Sequence, residues 1–511
     1  MRFAKSIAVA LVLIIVAGTL FAAGAKEPQA TKTQNRDTIV VAMGADARSL
    51  DPHETNDQPS ARIMKQIYST LMHQTEDLQI EKGLVTDYRV VSDTVYEFTL
   101  PSGVMFHNGE TLTSRDVKFT FDRMREKNAP AGFLMAALDR VEVIDDLNFR
   151  MVLEFPFGPF LTHLAHTAMS IVNEKAVTAG GADYGRSPVG TGPFKFVEWR
   201  AGDSITLERF DDYYRGPAQA STIRFRFIPE DANRAIAIET GEADIVFDVG
   251  PNDFANLEAL PSVITSQITG LTTFYMGFNA AKAPFDDIRV RRAINLALDV
   301  DGATEAAFLG FATPADGPLP PSVLYANQDL DGYGYDPAEA RRLLAEAGYA
   351  DGFTTSIWTN NNPVRVMYSE IFQEQLRQVG IEVSIEIMEF APYLDRTALG
   401  EHDMFMLGWV TVTGDADYGL YSLFHSTQFG DAGNRTFWGN AEVDRLLDVG
   451  KTNPDPAQRE QAYMRAQEII TEQAPWVFLA NRDELNATRN YVEGFIPHAA
   501  GHHNLYRVYN R

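Results

Sequence analysis

Hydrophobic side chains in this chain recur with two different periods, and the period switches repeatedly from one end of the sequence to the other. Ile381, Val383, Ile385 and Ile387 alternate with Glu382, Ser384, Glu386 and Met388, the pattern of a strand with one buried face. Val290, Ile294, Ala297 and Leu298 recur instead at helical spacing. The apolar run from Thr38 to Met43 stops at Gly44 and reads as a strand, as do "FRMVLEFP" and "SITLERFDDYY". "VYEFTLPSGVMFHNGETLTSRDVKFTFDRM" reads as a strand, a turn and a helix with Ser114 as its N-cap. Asp336-Pro337-Ala338-Glu339 supplies a cap, a proline at the first helical position and an acid two residues on, with Gly348 to end the helix; Asp455-Pro456-Ala457-Gln458 repeats the device. Helices and strands interleaved in this way predict an α/β fold. At 511 residues the chain exceeds what one hydrophobic core organises, so at least two lobes are expected.

The first residues follow another logic. Arg2 and Lys5 precede an uncharged apolar run, Ile7 to Ala17, and Ala23-Gly24-Ala25 offers small residues for cleavage. Residues 1–25 therefore read as a secretory signal peptide, with an uncleaved membrane anchor as the alternative, and polar residues 26–37 as a disordered linker. No later stretch approaches about 18 consecutive apolar residues. The chain has 0 Cys, which excludes disulfides, thiolate chemistry and lipidation on a cysteine. A net charge of −25 argues against nucleic acid and anionic lipid as partners.

Several segments, in order, resemble one family: "SPVGTGPFKFVEW" (Ser187 to Trp199), "DDIRVRRAINLALDVDG" (Asp286 to Gly302), "YDPAEARRLLAEAGY" (Tyr335 to Tyr349), "LRQVGIEV" (Leu376 to Val383) and "GWVTVTGDAD" from Gly408. They are similar to the extracellular solute-binding proteins, family 5, of ABC importers, which serve oligopeptides, dipeptides, nickel and glutathione. "FLGFATPADGPLPPSVLYAN" and "TGDADYGLYSLF" are most similar to the glutathione-binding members, with the dipeptide-binding members next. The resemblance implies a two-lobed periplasmic binding protein fold, type II-like, with an additional subdomain in lobe one. Lobe one is expected at 38–271, lobe two at 272–481 and a return to lobe one at 482–511, with crossovers near Thr273 to Asn279 and Trp476 to Asn481. It also implies a monomeric, exported, periplasmic receptor that captures a short peptide by hinge closure. The ligand would pass to an ABC permease with its ATPase subunits, without a cofactor or a metal.

The site residues follow from the same resemblance. Asp415, after Gly414, is expected on lobe two facing the cleft, where its carboxylate would hold a peptide ammonium. Ala416 stands where dipeptide binders carry proline. Read from the residues alone, Asp415 and Asp417 also suit a turn or helix cap. A calcium loop fails, because the twelfth position from Asp415 is Ser426, and "NQDLDGYGYDPA" fails likewise at Ala338. Arg365 is the expected carboxylate receptor, a guanidinium fork being suited to that group, although a solvated helix arginine has the same local sequence. Arg48 is a second cation on the loop after the first strand. Asn361, within Asn360 to Asn362, can bond a ligand backbone, and Trp409 and Tyr418 can wall the pocket, with core packing as the alternative for both.

Other functions remain to be weighed. An oligosaccharide receptor of the same family would rely on tryptophan stacking, and a secreted hydrolase would pair Asp415 with another acid. His163 and His166, or His502 and His503, have no third metal ligand at a diagnostic spacing, and HExxH, GxSxG and GxxxxGK[ST] motifs are absent. The resemblance, more than these absences, argues against an enzyme.

Overall fold

The computed structural model describes residues 37–127 and 129–511. The signal peptide and almost all of the linker expected before Thr38 lie outside the described residues.

Thr38–Met43 is a strand, as its apolar run suggests, and is paired in parallel with Thr222–Phe227 and with Ile245–Val246. A strand flanked by parallel neighbours is covered on both faces, so nearly every side chain is apolar. Antiparallel strands Ser204–Arg209 and Phe194–Arg200 extend this half outward. In the other half Phe353–Asn360 pairs in parallel with Ile381–Met388 and Met404–Val410. Two long antiparallel strands, Val263–Phe278 and Trp476–Arg489, join both halves into one 11-stranded sheet. The segments expected as crossovers lie within these strands, apart from Asn279 just past the end of the first. Their pairing is irregular between Ile268 and Thr272, opposite Arg482 and Glu484. Gly270 permits this: a Cβ there would stand 2.4 Å from the Arg482 carbonyl oxygen.

Each half has its own core, one around Ile39, Val41 and Phe225, the other around Met276, Ile294 and Phe372. A separate antiparallel sheet of Asp87–Ser92, Val95–Thr99, Asn148–Leu153 and Leu138–Val143 forms a subdomain inserted in the first half of the chain. Its core, including Phe98, Phe149 and Leu164, is continuous with Leu319, Val412, Tyr418 and Trp476. The subdomain therefore packs on residues expected in lobe two, although its own sequence falls in the span expected for lobe one.

Local signals translate closely. Asp336 caps Pro337–Glu346 through the amides of Ala338 and Glu339, and Asp455 caps Pro456–Gln473 through that of Ala457. One cap is displaced: Ser114 is the first helical residue of Ser114–Glu126, and Thr113 is the N-cap, closed by a capping box with Asp116. The alternating Ile381–Met388 strand lies at the sheet edge, so Ile381 is buried but Ile387 is exposed.

Candidate functional site

A cavity of about 230 Å³ lies between the two halves. The Gln58–Ile67 helix presents Gln58, Ala61 and Arg62 to it at helical spacing. Asp57 caps that helix, accepting from the Ser60 amide and hydroxyl at 2.9 Å each and from Thr55, and burial raises its carboxyl pKa. The Val263–Phe278 and Trp476–Arg489 strands contribute Thr272, Phe274 and Arg482. From the other half come Asn360 to Asn362, Arg365, Trp409, Val412 and Tyr418.

Charge dominates this cavity, and most of it is compensated. Asp248 accepts from Arg62 and from Arg482, the latter at 2.7 Å. Burial would raise the Asp248 carboxyl, but the two guanidiniums outweigh it and hold it well below the usual range. Asp231 pairs with Arg234. Asp431 lies 3.6 Å from Arg48 and 3.5 Å from Arg435.

Arg365 has no such partner. It sits in the first turn of Pro363–Arg377, where Asn362 caps the helix by accepting from the Arg365 amide. One Nη donates to Asn360 Oδ1 at 2.8 Å, and the guanidinium carbon lies 5.4 Å from the centre of the Phe274 ring. Its Nε is buried without a hydrogen-bond partner, and no carboxylate among the described residues pairs with it. Burial lowers its pKa, the signature of a cation deprived of water and of an anion. A ligand carboxylate would supply that anion and could accept two N–H bonds.

The other expected site residues divide. Trp409 and Tyr418 line the cavity with their rings 5.2 Å apart, and the Trp409 Nε1 is buried without a partner. The Tyr418 hydroxyl lies 3.2 Å from His166 Nε2 and donates to Asn56 Oδ1 at 3.2 Å, both across the gap between the halves. Asn361 lines the cavity, with its amide nitrogen 3.5 Å from the Glu389 carboxylate. Arg48 reaches the cavity edge, but its first partner is Asp395 of the opposite half.

Asp415 does not line the cavity. It is the N-cap of Ala416–Phe424, accepts from the Asp417 amide at 2.9 Å, and is gripped by one Nη of Arg459 at 3.0 and 2.9 Å. The cap alternative describes this geometry, and the expectation of a cleft-facing carboxylate is corrected. Gly414, at φ +70°, turns the chain into that cap, while its carbonyl accepts from the Leu324 amide outside the cavity. Asp417 is buried too, accepting from the Tyr463 hydroxyl at 3.1 Å and facing His163 at 3.4 Å.

Sequence reading missed Arg62, Asp248, Arg234, Arg435 and Arg482. Arg62 carried a faint signal, being four residues after Gln58 on a capped helix. Arg234 and Arg435 stand three and four residues after Asp231 and Asp431, a spacing shared with ordinary surface pairs, and Asp248 and Arg482 lie far apart in the chain with nothing local to mark them.

Comparison with known proteins agrees with this architecture. Residues 79–431 match the sequence model for bacterial extracellular solute-binding proteins, family 5. The glutathione-binding protein of Pectobacterium atrosepticum is 34% identical over 475 residues, covering 89% of this chain and 91% of that protein. Among solved structures, the periplasmic binding protein DppA of Helicobacter pylori, in complex with the peptide STSA, superposes with a TM-score of 0.88 at 32% identity, covering 93% of this chain and 98% of that one. A dipeptide-binding protein of Pseudoalteromonas in complex with Met-Leu also reaches 0.88, at 26% identity over 93% of this chain and 100% of its own. The matched span and the near-complete coverage lead to one conclusion: the chain belongs to the bacterial extracellular solute-binding proteins of family 5.

Proposed function

We propose that this protein is the substrate-binding protein of an ABC importer and captures a short peptide, such as a dipeptide, an oligopeptide or glutathione, between its two lobes. The observation that carries the reading is Arg365, a cavity-lining guanidinium with no carboxylate of its own, standing where the carboxylate of a peptide can complete it. Hinge closure buries the ligand against both halves, so the ligand binds the closed form better than the open one and biases the equilibrium toward it. The closed form is then offered to a membrane permease, whose ATPase subunits supply the energy. In this reading the protein acts as an exported monomer without cofactor or catalytic step. A glutathione-binding relative and two peptide-bound structures support the peptide class over a sugar, and a neutral oligosaccharide would leave the Arg365 charge unanswered.

Calorimetric titration with glutathione, dipeptides, oligopeptides and cello- and manno-oligosaccharides tests this. Peptide binding is expected, and Arg365→Gln is expected to weaken it by about 2 kcal/mol or more, roughly thirtyfold. Binding of sugars alone, or an Arg365→Gln variant with unchanged peptide affinity, would overturn the proposal.

A further inference from the structure

Three of the carboxylates that line the cavity, Asp231, Asp248 and Asp431, face guanidiniums, and Asp57 is taken up by neutral donors at its helix cap, whereas one guanidinium, Arg365, has no anion. Asp57 accepts from Thr55 and from the Ser60 amide and hydroxyl while capping its helix. Asp231 is taken by Arg234, and Asp248 by Arg62 and Arg482. Asp431 faces two guanidiniums, those of Arg48 and Arg435, so an approaching ammonium would meet two like charges beside it. Asp415 lies outside the cavity, bound to Arg459.

A second cation extends the imbalance. Lys65 is on the same helix as Arg62 and lines a small side cavity that shares His166, Thr167, Val412 and His502 with the main one. Among the described residues Lys65 has no ion-pair partner; Glu76 and Arg215 act on it only through their charges. The histidines around it, His73, His166, His498 and His502, are neutral near pH 7 because burial lowers their pKa values.

Resting on the peptide reading above, we infer that the cavity selects its ligand by anionic groups and does not read a free α-ammonium. The chemical class is a short peptide or amide-linked amino acid carrying net negative charge, with one carboxylate on Arg365 and the amino end free or blocked. The amino end then meets neutral groups, such as the Asn56 and Gln58 side chains, instead of a carboxylate.

Native mass spectrometry of the purified protein against a dipeptide library, the same library N-acetylated, and glutathione with its N-acetyl and diester forms tests this, with calorimetry on the enriched members. Net-negative members are expected to be enriched, and acetylation is expected to change affinity by no more than about threefold, against the thirtyfold or greater loss expected for removing one partner of a buried charge pair. The glutathione diester is expected to bind at least about thirtyfold more weakly than glutathione, since it leaves the Arg365 guanidinium without its anion. Asp431→Asn is expected to leave the ratio of free to acetylated affinity unchanged, and Lys65→Gln to weaken the net-negative members while Lys65→Arg retains them. Enrichment confined to free-amine members, or an Asp431→Asn variant that abolishes a preference for them, would overturn the inference while leaving the peptide reading intact. Enrichment of nothing from any set, together with no oligopeptide binding in the calorimetric titration above, would sink the peptide reading itself, and this inference with it.

Discussion

At the scale of single residues, the informative pair is Asp415 and Arg459, because their charge serves the fold and not the cavity. Both side chains are buried, and burial would lower the Arg459 pKa had the Asp415 charge not outweighed it and raised it. Replacing Asp415 by asparagine keeps a good helix cap but removes the carboxylate, leaving a buried guanidinium without its anion. Asp415→Asn is therefore expected to lower unfolding free energy by about 3 kcal/mol in urea titrations. It should affect ligand affinity far less than Arg365→Gln. An unchanged denaturation midpoint would contradict the buried-pair account. A loss of affinity matching that of Arg365→Gln would restore Asp415 to the binding site.

At the scale of elements, the sequence was most readable where a signal and its consequence lie within a few residues of each other. The caps at Asp336 and Asp455 and the strand at Thr38 needed only their neighbours to be interpreted. Ser114 failed by one position because Thr113 offers the same chemistry and Asp116 completes its box. The Asp415 cap was locally readable as well, but the family resemblance pointed elsewhere. Cavity residues were mostly hidden, since Arg62, Asp248 and Arg482 meet only after the sheet assembles, and no local pattern records that meeting. The "VGTGPF" turn shows how such long-range demands can still leave a trace. The Gly192 amide donates to the Ile67 carbonyl at 2.8 Å, at the end of the Gln58–Ile67 helix, and a Cβ on Gly192 would lie 2.5 Å from the Ile67 carbonyl carbon. Gly192→Ala is thus expected to cost about 1–3 kcal/mol through backbone displacement. Gly132→Ala, where a Cβ would meet nothing within 4 Å, should be nearly neutral. Equal thermal midpoints for the two variants would refute the packing argument.

At the scale of the whole molecule, buried histidines set the response to acid. Burial lowers His53, His73, His166 and His402 to about 3, and His107, His163 and His498 to about 4, with His502 and His503 also well below the ordinary value of 6.5. In the unfolded chain these rings bind protons as pH falls through about 6.5, whereas in the folded protein they stay neutral to far lower pH. The unfolded state therefore holds more protons over this window, and stability falls as pH falls, by up to about 1.4 kcal/mol per pH unit for each histidine once pH is well below 6.5. Burial also raises the carboxyls of Asp57, Asp417 and Glu484, which acts in the opposite sense. That opposition acts wherever a folded carboxyl keeps a proton that its unfolded counterpart has lost, and it offsets part of the histidine effect; the nine histidines, displaced to about 4 or lower and so across the whole interval from pH 7 to pH 5, set the sign. Unfolding at pH 5 is accordingly expected to proceed at a lower temperature than at pH 7 and to take up several protons. Calorimetric scans in buffers of different ionisation enthalpy measure that uptake directly. A midpoint that is flat or rises on acidification, or an uptake near zero, would mean that the rings already exchange protons in the folded state, so that the core around them admits water.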